Sequence, residues 1–421
     1  MNEISIYYMQ AFIKHNFSKE LKKYAFHFKP KHRKVIGDIY KHLIKAEKSW
    51  TKESRDIEDG GFIETPTCKK GDGYNWIPTE IQDLLSRSFF YKKEYKYRQG
   101  ERTIKIEMMY PVPAQMTLLK TDKNRIHRFF EDTLYRIYLW LFIADQYASS
   151  SCSLEMNIHI YFTDHLKKLP QMKGEPFREI HVNTAFTTVC APVTNIHIFR
   201  KEEWFKVFIH ETFHNLGLDF AKMDVAELDR NMNQVFPLKK DLGVFETYCE
   251  MWAVIMNSLF ESYFSTNGPR EEVILKTEKI LLQQAIYSVF QGAKILDHHG
   301  LTYQNVLSGS LSKYKETTYT FSYYILKSIL LFHLEDFLDF CIRHNRNTID
   351  FNKSSKTVLD YGRMICELSK SEELLAVFSK AESVLHTVPM DKDIRETMRM
   401  TQGTQGTYGS PNPSLSGHVK S

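Results

Sequence analysis

Trp204–Gly217 reads WFKVFIHETFHNLG, and within it His210, Glu211 and His214 form the pattern H-E-x-x-H. On a helix, positions i and i+4 share a face, so both imidazoles can turn toward one ion. Glu211 then stands beside that ion, placed to take a proton from a metal-activated water. Phe205, Phe208, Ile209, Phe213 and Leu216 cover most other faces, which predicts a buried helix. Gly217 predicts its stop, because glycine takes the left-handed conformation that closes a helix. A solvent-facing helix can carry the same pattern with no ligand, but the apolar flanks argue against exposure. Two histidines and a carboxylate in a buried helix are costly without partners, and a zinc ion would supply one.

Catalytic zinc takes three protein ligands and leaves one position for water. The longer pattern H-E-x-x-H-x-x-G-x-x-H fits as far as Gly217 and fails at Phe220, where the third ligand should stand. Asp219 is adjacent but out of register, so it reads as a loop or supporting residue. The better third ligand is Glu246 in FETYCEMWA, with Glu250 one turn on. Two carboxylates on one helix face repel unless a cation neutralises one. Two solvated acids are the plain alternative; the ligand reading completes a site already half built. Glu246 would bind the ion, and Glu250 would hydrogen-bond a ligand imidazole and fix its tautomer.

Outward from the motif, the order of elements predicts an α+β chain with strands before it and helices after it. Helices are expected over 1–50, and a loop or linker over 51–75, where Gly60, Gly61, Pro66 and Gly73 stand. SFFYKKEYKY (Ser88–Tyr97) and RTIKIEMMYP (Arg102–Pro111) alternate around Gln99-Gly100 as a hairpin, which Pro111 and Pro113 should end. A helix over 122–148, strands over 154–162, 180–190 and 194–199, and helices over 241–264, 271–297, 318–345 and 355–385 follow. The expected domains are 1–75, a sheet lobe over 76–217, a helical lobe over 218–395, and a disordered tail over 396–421 rich in Gly, Ser, Thr, Pro and Gln.

The 421 residues leave room for two or three domains, and a net charge of +5 demands neither nucleic acid nor an anionic membrane as partner. No apolar run is long enough to span a bilayer, and the N-terminus has no secretory pattern. Cys68, Cys152, Cys190, Cys249, Cys341 and Cys366 are scattered, with no C-x-x-C pair. That predicts reduced thiols in a soluble, intracellular protein.

HETFH followed by FETYCEMWA resembles the gluzincin zinc metallopeptidases. The wider pattern, VNTAFTT, then IHIFRKEEWFKVFIHETFHNLGLDF, then FETYCEMWA, also resembles uncharacterised proteins of large DNA viruses assigned as metallopeptidases. The resemblance covers about residues 180–260. It implies a zincin-like fold, with a mixed sheet before the active-site helix and a helical lobe after it. It implies a hydrolase that binds a polypeptide along an edge strand, here Thr194–Phe199 or Ile180–Thr188, in the host cytoplasm or the virion. It also implies an oxyanion donor beyond Glu246; Tyr319, Tyr323, Tyr324, His298 and His299 are available, and Tyr323 is the nominal choice. The sequence departs from the family in carrying Glu250 where the best-known members often have an aspartate, and in the long gap after His214. The alternative function is a zincin-like structural or host-interaction protein that no longer cleaves.

Overall fold

A computed structural model describes residues 3–66, 73–113, 119–238 and 240–403. Three helices open the chain: α1 (Glu3–Asn16), α2 (Ser18–Lys23) and α3 (Pro30–Glu53). There follow β1 (Glu58–Thr65), α4 (Thr79–Ser86), β2 (Ser88–Gln99), β3 (Arg102–Pro113), α5 (Lys120–Asp145), β4 (Glu155–Tyr161), α6 (Glu179–Val182), β5 (Ala185–Thr187) and β6 (Val193–Ile198). The motif helix is α7 (Trp204–Asn215). Beyond it come α8 (Ala226–Asn233), α9 (Val244–Phe264), α10 (Arg270–His298), α11 (Tyr303–Leu307), a π turn at Ser322–Leu326, α12 (Lys327–Phe332), α13 (Leu334–His344), α14 (Ser355–Leu368), α15 (Glu372–Thr387) and α16 (Lys392–Glu396). The protein is therefore α+β, with strands before the motif helix and helices after it. No helix among the described residues is long and apolar enough to cross a membrane.

Backbone contacts divide the chain into two compact units. The sheet unit comprises 37–165 and 184–218. The helical unit comprises the described residues up to 36, then 166–183 and 219–403.

In the sheet unit six strands lie in the order β1-β2-β3-β4-β6-β5. β2 runs antiparallel to both its neighbours, β1 and β3; β3, β4 and β6 are parallel, and β5 returns antiparallel to β6. Register follows the hydrophobic alternation. Ile104, Met156 and Thr194 stand in one row, Ile106, Ile158 and Ile196 in the next, and Met108, Ile160 and Ile198 in a third. All nine are buried. The alternate row carries Glu107, His159, His197 and Phe186 on the other face, where the two histidine rings stack at 4.7 Å and His197 stacks on Phe186 at 4.8 Å.

Several expectations are corrected. The linker over 51–75 contains β1, an edge strand paired with β2. Its register shifts between Asp59 and Phe62, so the two glycines sit at a bulge, with Gly61 at φ 80°. Pro111 does not end β3: the strand runs through it to Pro113, which pairs with Ser88. Pairing with β4 stops at Met109, so beyond it the strand has an open side where a missing N–H is tolerated. The strand over 180–190 shrinks to the three residues of β5, preceded by the single turn α6. β6 lies between β4 and β5, so Thr194–Phe199 is no edge, and the edge on that side is β5. The helix over 318–345 is broken into the π turn, α12 and α13, and that over 355–385 into α14 and α15. Residues Arg399, Met400, Thr401 and Gln402, placed in the disordered tail, are buried. The tail from 404 onward and Cys68 lie outside the described residues.

The thiols are also corrected, because Cys152 and Cys190 form a disulfide across a sequence separation of 38. No local spacing announces it; the fold brings the loop before β4 and the loop after β5 together. Cys249, Cys341 and Cys366 are not bridged. Closing a loop of that length removes unfolded-state entropy worth about 4 kcal/mol. Cys152→Ser with Cys190→Ser, or treatment with dithiothreitol, is expected to lower the unfolding free energy by up to about that amount. Denaturant unfolding with and without reductant measures it, and identical midpoints would refute a stabilising role.

Candidate metal centre

Every residue of α7 is buried. Phe213 stacks on Trp140 of α5, with centroids 6.1 Å apart, and the Trp140 indole N–H donates to Thr212 Oγ1 at 2.7 Å. The first turn of α7 holds no acidic side chain, and Glu203 precedes it at φ 59° with no side-chain cap.

The last turn is where the sequence and fold cooperate most. A helix leaves its final carbonyls without intrahelical partners, and buried ones must find others. Here the Cys190 N–H donates to His214 O at 2.9 Å, the Ser153 hydroxyl to Asn215 O at 2.9 Å, and the Ser149 N–H to Leu216 O at 3.3 Å. Two of these donors flank or belong to the disulfide. Gly217 takes φ 64°, and a Cβ there would meet Cys152 Sγ at 3.0 Å. Asn215 ties the helix to the sheet edge: its amide donates to Thr187 Oγ1 at 2.6 Å and Thr188 O at 2.7 Å. Edge strand, disulfide and motif helix are thus fastened together.

Within α7, His210 Nε2 and His214 Nε2 are 3.3 Å apart, and the rings meet at 74°. The i, i+4 spacing predicts this approach. Both residues are buried, as is Glu211. Two nitrogens bonded at about 2.0–2.1 Å to one tetrahedral ion stand about 3.3–3.4 Å apart. A direct N–H···N hydrogen bond would instead require one ring protonated at Nε2 and the other not.

The remaining candidates belong to the helical unit. α9 starts behind Gly243, whose φ of 60° leaves no space for a side chain: a Cβ would meet the Tyr319 ring at 2.4 Å. Glu246 lies in the first turn of α9, where the helix dipole favours a carboxylate. It and Glu250 are both buried, so neither is a solvated surface acid. Asp219 accepts from the Cys249 thiol, Sγ to Oδ2 3.4 Å, and from the Ala221 N–H at 3.1 Å. Phe220, which stands where the longer pattern needs a third ligand, packs on Phe351 with centroids 4.4 Å apart and is a core aromatic.

The oxyanion candidates separate by environment. The Tyr324 hydroxyl donates to Met398 O, a structural bond. His298 Nε2 lies 3.1 Å from Glu175 O, and His298 and His299 both pack on Phe177. Burial lowers the pKa of His298, and burial with His298 beside it lowers that of His299 to about 4. Tyr319 and Tyr323 are half-buried and joined by the bond from Tyr323 N to Tyr319 O at 3.0 Å. Burial first, and the Glu246 carboxylate next, push the Tyr319 phenol above its ordinary pKa. That places Tyr319 in the field of Glu246, a proximity no spacing rule announces. Asn215 and the two bridged cysteines were likewise not singled out as supports of the site.

No protein-family model matches the chain, and no solved structure does. An uncharacterised protein of Acanthamoeba polyphaga mimivirus is 26% identical over 149 residues, which cover 34% of this chain and 38% of that protein. The chain resembles a viral protein. The relative is itself uncharacterised, so the resemblance brings no activity with it.

Replacing Gly217 by alanine is expected to destabilise the fold by about 1–3 kcal/mol, through left-handed backbone strain and crowding against Cys152 Sγ. Thermal unfolding of Gly217→Ala tests this, and an unchanged midpoint would contradict it.

Proposed function

We propose that the protein is a zinc-dependent metallopeptidase with a zincin-like fold, hydrolysing peptide bonds in a polypeptide. The observation that carries this reading is the pair of imidazole nitrogens 3.3 Å apart in a wholly buried helix, the separation expected of two ligands on one tetrahedral ion. His210, His214 and Glu246 would hold the zinc, offering two ring nitrogens and a carboxylate oxygen. That donor set is typical of catalytic rather than structural zinc, because it leaves a position open. A zinc ion bound there would supply Lewis-acid activation of water and of the scissile carbonyl.

The chain's own residues do the rest. Glu211 accepts the proton of the attacking water and passes it to the leaving amine. Glu250 hydrogen-bonds a ligand imidazole and fixes its tautomer. Tyr323, or its neighbour Tyr319, donates to the oxyanion. β5 takes the extended substrate as an added strand, and its tie to Asn215 supports that use of the edge. Similarity to a mimivirus protein supports a setting in the host cytoplasm or the virion. The disulfide favours the virion, because such bonds persist there and are rare in the cytosol.

The test is metal content followed by cleavage of a peptide library. The wild-type chain is expected to bind one zinc per chain and to cleave. Glu211→Gln should keep the metal and lose about 10²–10⁴-fold in rate. Full activity in Glu211→Gln would overturn the general-base role. Zinc without cleavage in the wild type would mark an inactive zincin-like scaffold instead, and a chain that takes up no zinc would end the metal reading.

A further inference from the structure

Residues Ile394–Gly403 run through the helical unit as a strap that is mostly irregular in backbone yet buried: Thr397, Met398, Arg399, Met400, Thr401 and Gln402 are all inaccessible. Such a segment cannot satisfy its own main chain, and an unpaired buried carbonyl costs about 1–3 kcal/mol. Side chains do it here. Along α10, Gln284, Tyr287, Gln291 and Lys294 recur at intervals of three, four and three residues, which places them on one helix face. Gln284 Oε1 accepts from the Gln402 N–H at 3.0 Å. The Tyr287 hydroxyl and the Gln291 amide donate to Arg399 O at 3.1 and 2.6 Å. Lys294 Nζ donates to Ile394 O at 3.0 Å. From the neighbouring turn, the Tyr324 hydroxyl reaches Met398 O, and Lys327 Nζ donates to Met400 O at 3.1 Å.

Lys327 also faces a carboxylate. Its Nζ lies 3.9 Å from Glu250 Oε2, and both side chains are all but inaccessible. One ammonium therefore stands between a strap carbonyl and the carboxylate one turn beyond Glu246. A buried carboxylate is tolerable when a counter-charge is held against it, and a buried lysine needs acceptors in turn. The strap supplies one of them.

We propose that Lys327 is a positioning residue for the candidate metal centre: it fixes the Glu250 carboxylate, the Met400 carbonyl fixes the ammonium, and docking of residues 394–403 thereby becomes a condition of tight metal binding. This rests on the zinc reading given above. In that reading Glu250 orients a ligand imidazole, so loosening Glu250 loosens the ion.

The experiment uses the full chain with Lys327→Met, Lys327→Arg, Glu250→Gln and the double variant Lys327→Met with Glu250→Gln. Zinc affinity is measured by competition with a chromophoric chelator, and thermal unfolding is followed for metal-free and zinc-loaded protein. Lys327→Met is expected to weaken zinc binding about tenfold or more, and Lys327→Arg to recover part of it. In the Glu250→Gln background Lys327→Met should have no further effect, since both act through one contact. Should Lys327→Met not fold, Lys327→Gln keeps a donor toward Met400 O, discards the charge, and gives the same comparison. Wild-type zinc affinity in the lysine variants, or losses that add in the double variant, would overturn the proposal while leaving the metal reading intact. A wild-type chain that binds no zinc would overturn both. A lysine with only a packing role would shift the unfolding of metal-free and zinc-loaded chains equally.

Discussion

Two imidazole nitrogens 3.3 Å apart, on a helix with no exposed residue, are the constraint to which the surrounding structure answers. Burying polar groups on one face of an interior helix is unfavourable unless each finds a partner. The helix must also be held rigidly, because one turn's worth of slippage would carry both rings away from any common point. The sheet unit meets this demand with packing, through Phe213 and Thr212 against Trp140, and with hydrogen bonds at the C-terminal end of the helical ladder. The carbonyls of His214, Asn215 and Leu216 are met by groups from the segments around Cys152 and Cys190, and those of Thr212 and Phe213 by the N–H groups of Leu216 and Leu218.

The same economy appears in the helical unit. α9 opens on a glycine that lets the Tyr319 ring lie against the backbone, and its first turn carries Glu246. Behind it, an irregular strap is buried at the cost of a row of amide, phenol and ammonium donors along α10 and the neighbouring turn. Those donors look wasteful as core residues. They make sense once the carbonyls they serve are counted, since an irregular segment has no ladder of its own.

Much of this was legible from residue order. The spacing of His210 and His214 fixed which ring edges could meet, and the alternation of Ile104, Ile106 and Met108 fixed the buried face of β3. Local rules failed where tertiary context overrode them. Gly60 and Gly61 read as chain breakers, yet a bulge uses them within an edge strand. Pro111 reads as a terminator, yet a strand with one open side accommodates it and runs on to Pro113. Met398 to Gln402 sit beside a low-complexity stretch and were read with it. Their partners lie more than seventy positions away on Gln284, Tyr287, Gln291, Tyr324 and Lys327, beyond the reach of any window. The disulfide is hidden for the same reason: only folding brings its two loops together.

The bridge between Cys152 and Cys190 also changes what the intervening chain is, covalently. It turns β4, the excursion 166–183 with its single turn α6, and β5 into a closed ring of polypeptide. The excursion is counted with the helical unit, while both ends of the ring belong to the sheet unit. A single cut in that ring would therefore leave two fragments still joined as one molecule. Only a thiol reductant would let them part, and the carbonyl of His214 would then depend on a strand end no longer anchored to its neighbour.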